Sequence, residues 1–143
     1  MQTIRVITQE QLDQAFEIRK EVFVIEQEVP LEDEFDQFDQ LDSNCKHILI
    51  MDTDKCVGTA RLREVDGTGK LERICVLEPF RKLGLGKVIV RELEEIAKEK
   101  GLNRVKLHGQ THAEAFYKNL GYETSSDVFM EDGIPHVLMT KKI

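Results

Sequence analysis

The sequence has no long hydrophobic run. Nowhere in its 143 residues do apolar side chains continue for the roughly 20 positions that a helix needs to span a bilayer. The first residues also lack the basic stretch and apolar core of a secretory signal. We therefore expect a cytoplasmic protein with no membrane partner.

Cysteine is scarce and forms no paired motif. Cys45, Cys56 and Cys75 are odd in number and too far apart for a zinc or redox CxxC pair. Of the four histidines, only His108 and His112 are four residues apart, and they straddle the end of a predicted strand instead of sharing a helix face. These patterns indicate free thiols in a reducing compartment and no metal site.

A basic stripe is also missing. The formal net charge is −7, which argues against a nucleic-acid partner. The acidic residues are concentrated, because the acidic segment from Glu26 to Asp42 contains no lysine or arginine. Two roles for this segment stay open: a solvated loop, or a wall of an acceptor pocket that attracts cationic amines. Its carboxylates are Glu26, Glu28, Glu32, Asp33, Glu34, Asp36, Asp39 and Asp42.

The order of predicted elements indicates a single domain over residues 1–143. The length fits one domain, and no repeat or Pro/Gly/Ser-rich linker divides the chain. A capping box at Thr8 and Gln11 predicts a helix that runs to about Val24, after a strand at 3–7. The acidic segment is predicted to be a loop, because Pro30 blocks the continuation of the helix.

The remainder of the chain predicts an α/β (α+β) fold. We expect a mixed, mostly antiparallel central sheet flanked by helices, with a βαβ-like unit after an antiparallel meander. The predicted strands are 47–51, 56–64, 70–77, 104–108, 127–130 and 136–141, and the predicted helices are 85–100 and 113–120.

One turn has the properties of an anion-binding site. Arg81-Lys82-Leu83-Gly84-Leu85-Gly86 lies between a predicted central strand and an amphipathic helix, so backbone N–H groups and the helix dipole converge on it. Gly84 and Gly86 let a phosphate approach the backbone, and the neighbouring basic side chains add positive charge. The turn matches neither the Walker pattern nor the three-glycine dinucleotide pattern. We expect it to bind a pyrophosphate.

This turn resembles the cofactor-binding segment of the GNAT superfamily of N-acetyltransferases. That segment reads Gln or Arg-x-x-Gly-x-Gly or Ala between a strand and a helix, and Arg81 to Gly86 match it. A second GNAT segment, Ala-x-x-Phe-Tyr-x-x-x-Gly-Tyr or Phe, is similar to Ala113 to Tyr122. Three further stretches resemble a small bacterial, YjcF-like branch of the superfamily: Val22 to Pro30, Leu71 to Val76 and Gly133 to His136.

The resemblance implies acetyl-coenzyme A as the cofactor. In the superfamily it lies between two splayed parallel strands, and its pantetheine arm pairs with strand backbone that has no neighbouring strand. The amides from Leu83 to Lys87 would then hold the pyrophosphate. The full set of expected cofactor contacts is Ile74, Cys75, Val76, Arg81, Lys82, Leu83, Gly84, Leu85, Gly86, Lys87, Gln110, Phe116 and Tyr117.

The resemblance also implies two catalytic candidates. The superfamily uses a tyrosine at the position of Tyr117 to protonate or hydrogen-bond the departing thiolate, although Tyr117 and Phe116 could merely pack the short helix. Glu72 is the candidate general base, and a structural ion pair is its alternative. Cys75 is more typical of a small buried hydrophobe than of a nucleophile. A backbone N–H near Cys75 or Val76 is the expected oxyanion donor.

The implied function is transfer of an acetyl group from acetyl-coenzyme A to a primary amine, by direct attack in a ternary complex. The acceptor is a small molecule or a peptide, and a monomer and a homodimer are both open. Two alternatives come from other function classes: a non-catalytic module that binds acyl-coenzyme A and regulates a partner, and a structural interaction protein that uses the acidic segment.

Overall fold

The structure is a computed structural model that describes residues 1–41 and 44–143. Within these ranges eight strands form one sheet in the order β1-β2-β3-β4-β5-β8-β6, and β7 also pairs with β8. Only β4 and β5 are parallel neighbours among these strands, so the predicted mixed, mostly antiparallel sheet is confirmed. The strands are β1 (Gln2–Arg5), β2 (Cys45–Asp52), β3 (Lys55–Val65), β4 (Thr68–Val76), β5 (Arg104–Gln110), β6 (Glu123–Thr124), β7 (Phe129–Glu131) and β8 (Ile134–Lys142).

Helices cover both faces of the sheet. They are α1 (Gln9–Arg19), α2 (Leu31–Glu34), α3 (Leu85–Glu99) and α4 (Glu114–Asn119). A π-helical segment, Lys20–Glu26, continues α1. In the described ranges no helix is long and apolar enough to cross a membrane.

The capping box predicted for α1 is present. The Thr8 side chain accepts the Gln11 N–H at 3.2 Å, and the Gln11 side chain accepts the Thr8 N–H at 3.1 Å. The helix predicted to reach about Val24 corresponds to α1 together with the π-helical segment. The acidic segment contains one helical turn, α2, which begins directly after Pro30.

The core has two layers, one on each face of the sheet. Apolar residues of α3, three or four positions apart, pack on the inward side chains of β2 to β5 and form the larger cluster. The smaller cluster joins Ala15 and Ile18 of α1 and Val22 to Leu49 and Cys75 of the sheet. The central strands are therefore covered on both faces, which fixes their positions around the opening described below.

Buried arginines hold the acidic segment against the α1 face of the sheet. Arg19 of α1 is 1 % exposed and binds Glu34 (Nε to Oε2, 3.0 Å) and Asp39 (Nη1 to Oδ1, 2.6 Å). Arg61 of β3 is 2 % exposed and binds Asp36 (Nη2 to Oδ2, 2.8 Å) and Asp39 (Nη1 to Oδ1, 2.9 Å). Because each buried guanidinium has carboxylate partners, this network can fix residues 31–39 in place.

Candidate active site

The two parallel strands separate along their length. β4 and β5 pair only through Gly69–Leu71 and Val105–Leu107. Beyond these residues a cleft of about 780 Å³ opens between them. A bulge bends β4 at this point, because Arg73 and Ile74 lie opposite the single residue Ala60 of β3, and Arg73 has a φ of +57°. The splayed strands that the resemblance implies are therefore present.

The open edge of β4 presents main-chain groups to the cleft. The Val76 carbonyl accepts a hydrogen bond from Arg81 Nε at 2.9 Å, so it points away from β3, whereas the next residue, Leu77, donates its N–H to the Val57 carbonyl of β3 at 2.8 Å. Successive residues of a strand direct their backbone groups to opposite edges, so residues two apart face the same edge. Ile74 therefore faces the cleft as Val76 does, and these two residues fit the predicted backbone contacts better than Cys75.

The turn before α3 forms the wall at the end of β4. Gly84 has a φ of +79°, and no side chain caps the helix that follows it. The first-turn N–H groups of α3 consequently have no helical partner. A Cβ on Gly84 would meet nothing within 4 Å, whereas a Cβ on Gly86 would lie 3.0 Å from Phe116 Cζ. Free amides, the positive helix end and open space together fit a pyrophosphate.

The side chains of this turn differ in their contacts. Arg81 forms an ion pair with Glu26, in which Nη1 donates to Oε2 at 2.6 Å and Nη2 donates to Oε1 at 2.7 Å. This pair connects the π-helical segment to the turn. Lys82 lines the cleft. Leu83 and Lys87 are exposed and stand outside the described cleft lining. The backbone amides and Lys82 are therefore better placed for phosphate than the Arg81 guanidinium.

One phenol is available inside the cleft. Tyr117 of α4 packs against Gly109 of β5, where a Cβ would lie 3.3 Å from Tyr117 Cδ2. No hydrogen bond within residues 1–41 and 44–143 uses the Tyr117 hydroxyl, whereas Tyr122 donates to Glu94 at 2.8 Å. Burial raises the pKa of Tyr117 to about 12, so its hydroxyl keeps the proton at neutral pH. Tyr117 can therefore act as a hydrogen-bond donor in the cleft.

Nearly the whole chain matches a known family. The family model described as an acetyltransferase (GNAT) domain matches residues 5–143. This chain belongs to the GNAT family. YjcF of Bacillus subtilis, an uncharacterized N-acetyltransferase, is 44% identical over 142 residues, 99% of each chain, so the predicted branch is also confirmed.

Solved structures agree with this GNAT assignment. An acyl-CoA N-acyltransferase from Pseudomonas aeruginosa matches with a TM-score of 0.88 and 26% identity over 99% of each chain. An aminoglycoside 6′-N-acetyltransferase complexed with coenzyme A shares the fold, with a TM-score of 0.81 and 16% identity over 99% of this chain and 97% of that one. The protein is an acetyl-CoA-dependent N-acetyltransferase, which disfavours both non-enzymatic alternatives.

Glu72 of this GNAT domain lies in an ion-pair network. Its Oε1 contacts Arg61 Nη2 at 3.0 Å and Arg63 Nε at 2.9 Å, and its Oε2 contacts Lys70 Nζ at 3.0 Å. Burial would raise the pKa of Glu72, but the hydrogen bond from Arg63 and the charges of Arg61 and Lys70 lower it to about 2. Such a carboxylate is a weak proton acceptor near neutral pH. The geometry favours the structural ion pair over the role of general base.

Cys75 is buried on the α1 face of the sheet. Its side chain packs with Ala15, Ile18 and Leu49, and burial raises the pKa of its thiol to about 12. The thiolate, which is the nucleophilic form, is therefore scarce at neutral pH. This environment agrees with the small buried hydrophobe expected from the sequence.

Gln110 spans the mouth of the cleft at the end of β5. Its Nε2 donates to Gln27 Oε1 at 3.0 Å, and its Oε1 lies 2.6 Å from His112 Nε2. The side chain joins β5 to the residue that follows the π-helical segment. Contact of Gln110 with a cofactor stays a prediction.

The acidic segment matches neither of the two expected roles in full, because part of it lines the cleft but its lining carboxylates are paired with arginines. Glu26 and Glu34 line the cleft, and both are paired with arginines. Burial raises the pKa of Glu34 despite these positive neighbours. Asp42 lies outside the described residues. The residues of the segment that stay exposed without an arginine partner among the described residues are Glu28, Glu32 and Asp33.

The sequence analysis gave the polar residues on the α1 side of the cleft no role in the site. They are Arg73, His108, Glu131 and His136. The alternation of β5 could have indicated His108, because Val105 and Leu107 enter the α3 core and their neighbour must face the other way. Glu131 reaches the cleft through the pairing of β7 with β8, which no local pattern reveals.

Proposed function

We propose that the enzyme transfers an acetyl group from acetyl-coenzyme A to a primary amine of a small molecule or peptide, by direct attack in a ternary complex. One observation carries this proposal: a single cleft contains the free amides at the start of α3, the open edge of β4 and the Tyr117 hydroxyl. Acetyl-coenzyme A supplies a thioester whose carbonyl carbon accepts the amine nitrogen.

The cofactor would be held mainly by main-chain groups. The amides at the start of α3 and the Lys82 side chain would bind the pyrophosphate. The backbone groups of Ile74 and Val76 would pair with the pantetheine arm and the thioester oxygen. Phe116, which packs on the Gly86 backbone, would border the same space. Tyr117 would donate a hydrogen bond to the sulfur as it leaves.

Direct attack is supported by the nucleophiles that the cleft contains. Cys75 is the one thiol among the described lining residues, and none of them is serine or threonine. Because burial raises the pKa of Cys75 to about 12, an acetyl-enzyme formed on it is disfavoured. The acceptor nitrogen is then the nucleophile, and both substrates must be bound together.

The proposal is tested by measuring thiol release from acetyl-coenzyme A in the presence of different amines. A polyamine, an aminoglycoside, free lysine and a lysine peptide cover the main acceptor classes. At least one should raise thiol release above the rate without acceptor, and reciprocal plots at varied concentrations of both substrates should intersect. Parallel plots would contradict the ternary complex, and no stimulation by any primary amine would contradict amine acetylation.

Substitution of Gly84 by Ala should weaken coenzyme A binding roughly tenfold. A side chain disfavours the left-handed backbone of Gly84 by about 1–2 kcal/mol, so the turn should relax and the cofactor must restore it on binding. Gly101→Ala is the matched control, since Gly101 also has a positive φ (+81°) and open space around it but lies at the end of α3. Calorimetric titration of both variants with coenzyme A should show a higher Kd only for Gly84→Ala. Equal Kd values would place the pyrophosphate elsewhere.

A further inference from the structure

His108 lies at the narrow end of the cleft. It follows Leu107, which is the last residue of β5 to pair with β4. Successive strand residues point to opposite faces of a sheet. Gly109 faces Tyr117, so His108 projects to the α1 face, and the imidazole and the phenol border the cleft from opposite sides.

Glu131 orients the His108 ring. His108 Nδ1 lies 2.8 Å from Glu131 Oε1, and this hydrogen bond lowers the pKa of Glu131. An ionised carboxylate can only accept, so Nδ1 carries the hydrogen of the neutral ring and Nε2 carries the lone pair. Within residues 1–41 and 44–143 no protein atom hydrogen-bonds His108 Nε2. Its lone pair is therefore available to a molecule in the cleft.

The charged and titratable groups around His108 and Glu131 do not occupy the free nitrogen of His108. Lys70 of β4 and His136 of β8 face Glu131 from the neighbouring strands. His136 donates Nδ1–H to the Ile134 carbonyl at 2.7 Å, and its Nε2 lies 3.6 Å from Glu131 Oε2, so its lone pair faces a carboxylate. The described residues contain no group of three side chains arranged to hold a metal ion.

Glu72 and Glu34, which line the cleft with 8 % and 3 % of their side chains exposed, are less suited to accept a proton. Glu72 is surrounded by three cations, as described above. Glu34 is 3 % exposed, and its Oε2 lies 3.0 Å from Arg19 Nε and 3.1 Å from Arg73 Nε. Although burial raises the pKa of Glu34, its protonation would leave Arg73 and the buried Arg19 without their shared carboxylate, which is costly for a buried charge.

We propose that His108, oriented by Glu131, is the general base that deprotonates the acceptor amine; this inference rests on the proposed function. The acceptor enters as an ammonium ion, and His108 Nε2 takes one proton from it. The nitrogen lone pair forms the N–C bond to the thioester carbonyl carbon, and the C–S bond breaks with its electron pair on sulfur. The nitrogen loses a second proton, which ends on the sulfur, and Tyr117 donates a hydrogen bond to this sulfur. The His108 imidazolium then releases its proton to solvent.

Chemical rescue tests the role of His108 once an acceptor amine is known for the wild type. His108→Ala should lower kcat/KM about 10²-fold or more, because general base catalysis contributes at least this much. Added imidazole should restore turnover in His108→Ala and not in Tyr117→Phe. Above the pH at which kcat/KM of the wild type levels off, kcat/KM of His108→Ala without imidazole should go on rising, because only the deprotonated fraction of the acceptor amine can then attack. Activity within about twofold of wild type, or no rescue, would overturn the proposal while acetyl transfer itself still stands.

The positioning role of Glu131 has a readout that does not depend on turnover. ¹⁵N NMR of the histidine rings should show His108 as the Nδ1–H tautomer in the wild type, with the assignment made from His108→Gln. Glu131→Gln should shift this tautomer population and lower kcat more than it raises KM. Glu123→Gln, on the exposed strand β6, is the matched control and should change neither. An Nε2–H tautomer in the wild type would contradict the assignment of the base.

Discussion

Tyr117→Phe should lower kcat for acetyl transfer about 10²-fold or more and leave the affinity for coenzyme A nearly unchanged. The substitution removes only the hydroxyl that borders the cleft, and the ring can still pack against Gly109. Donation to the sulfur is needed as the C–S bond breaks and not when the cofactor binds, so the loss should appear in kcat. Steady-state kinetics and a calorimetric titration with coenzyme A separate the two quantities.

Tyr122→Phe is the matched control for this experiment. Its hydroxyl donates to Glu94, which also binds Lys141, on the α3 side of the core. Because the acceptor is a buried carboxylate, loss of this bond should lower the free energy of unfolding by about 1.5–3 kcal/mol and leave kcat close to that of the wild type. Equal kcat losses in the two variants would show that packing of α4, and not the Tyr117 hydroxyl, explains the effect.

Arg61→Met should lower the free energy of unfolding by about 3–5 kcal/mol and the Tm by about 10 °C. The Arg61 side chain is buried and contacts Asp36, Asp39 and Glu72. Methionine fills similar space but leaves Asp36 without its arginine partner and takes one cation from both Asp39 and Glu72, so the negative charge of this buried network is no longer balanced. Thermal and urea unfolding followed by circular dichroism measure the change.

Arg63→Met provides the comparison on the same strand. Arg63 is partly exposed and contacts Glu72, which keeps Arg61 and Lys70 as partners when Arg63 is removed. We expect a loss of at most about 1 kcal/mol, as for other partly exposed pairs. If the two variants were equally stable, the buried network would not be what holds residues 31–39 against the sheet.

The parts of the site that depend on local sequence could be predicted. The turn from Arg81 to Gly86 and the helix that follows are determined by neighbouring residues, because glycine placement and an amphipathic repeat are short-range signals. The same reasoning identified Tyr117, which lies in a short motif. The resemblance to the GNAT family then related these two motifs to one cleft.

The parts that depend on contacts distant in sequence could not be predicted. Arg81 looked like a phosphate ligand, but its guanidinium pairs with Glu26, 55 positions away. Glu72 was a candidate base with a structural ion pair as its alternative, and the two arginines of β3 that favour the ion pair become its neighbours only when β3 and β4 pair. Glu131 approaches His108 only after β7 and β8 have joined the sheet. The register of two paired strands determines which charged side chains become neighbours. The residues around any one position in the sequence do not specify this register.

The limited pairing between β4 and β5 has a consequence for the lifetime of the protein. Three residue pairs join the first four strands to the last four, fewer than join any other two neighbouring strands among β2, β3, β4, β5 and β8, so separation along this seam should cost less free energy than separation of those strands. A molecule that binds only the joined form stabilises it by a free energy that rises with the logarithm of its concentration. Cellular levels of the enzyme would then follow the supply of acetyl-coenzyme A, with unliganded copies degraded first.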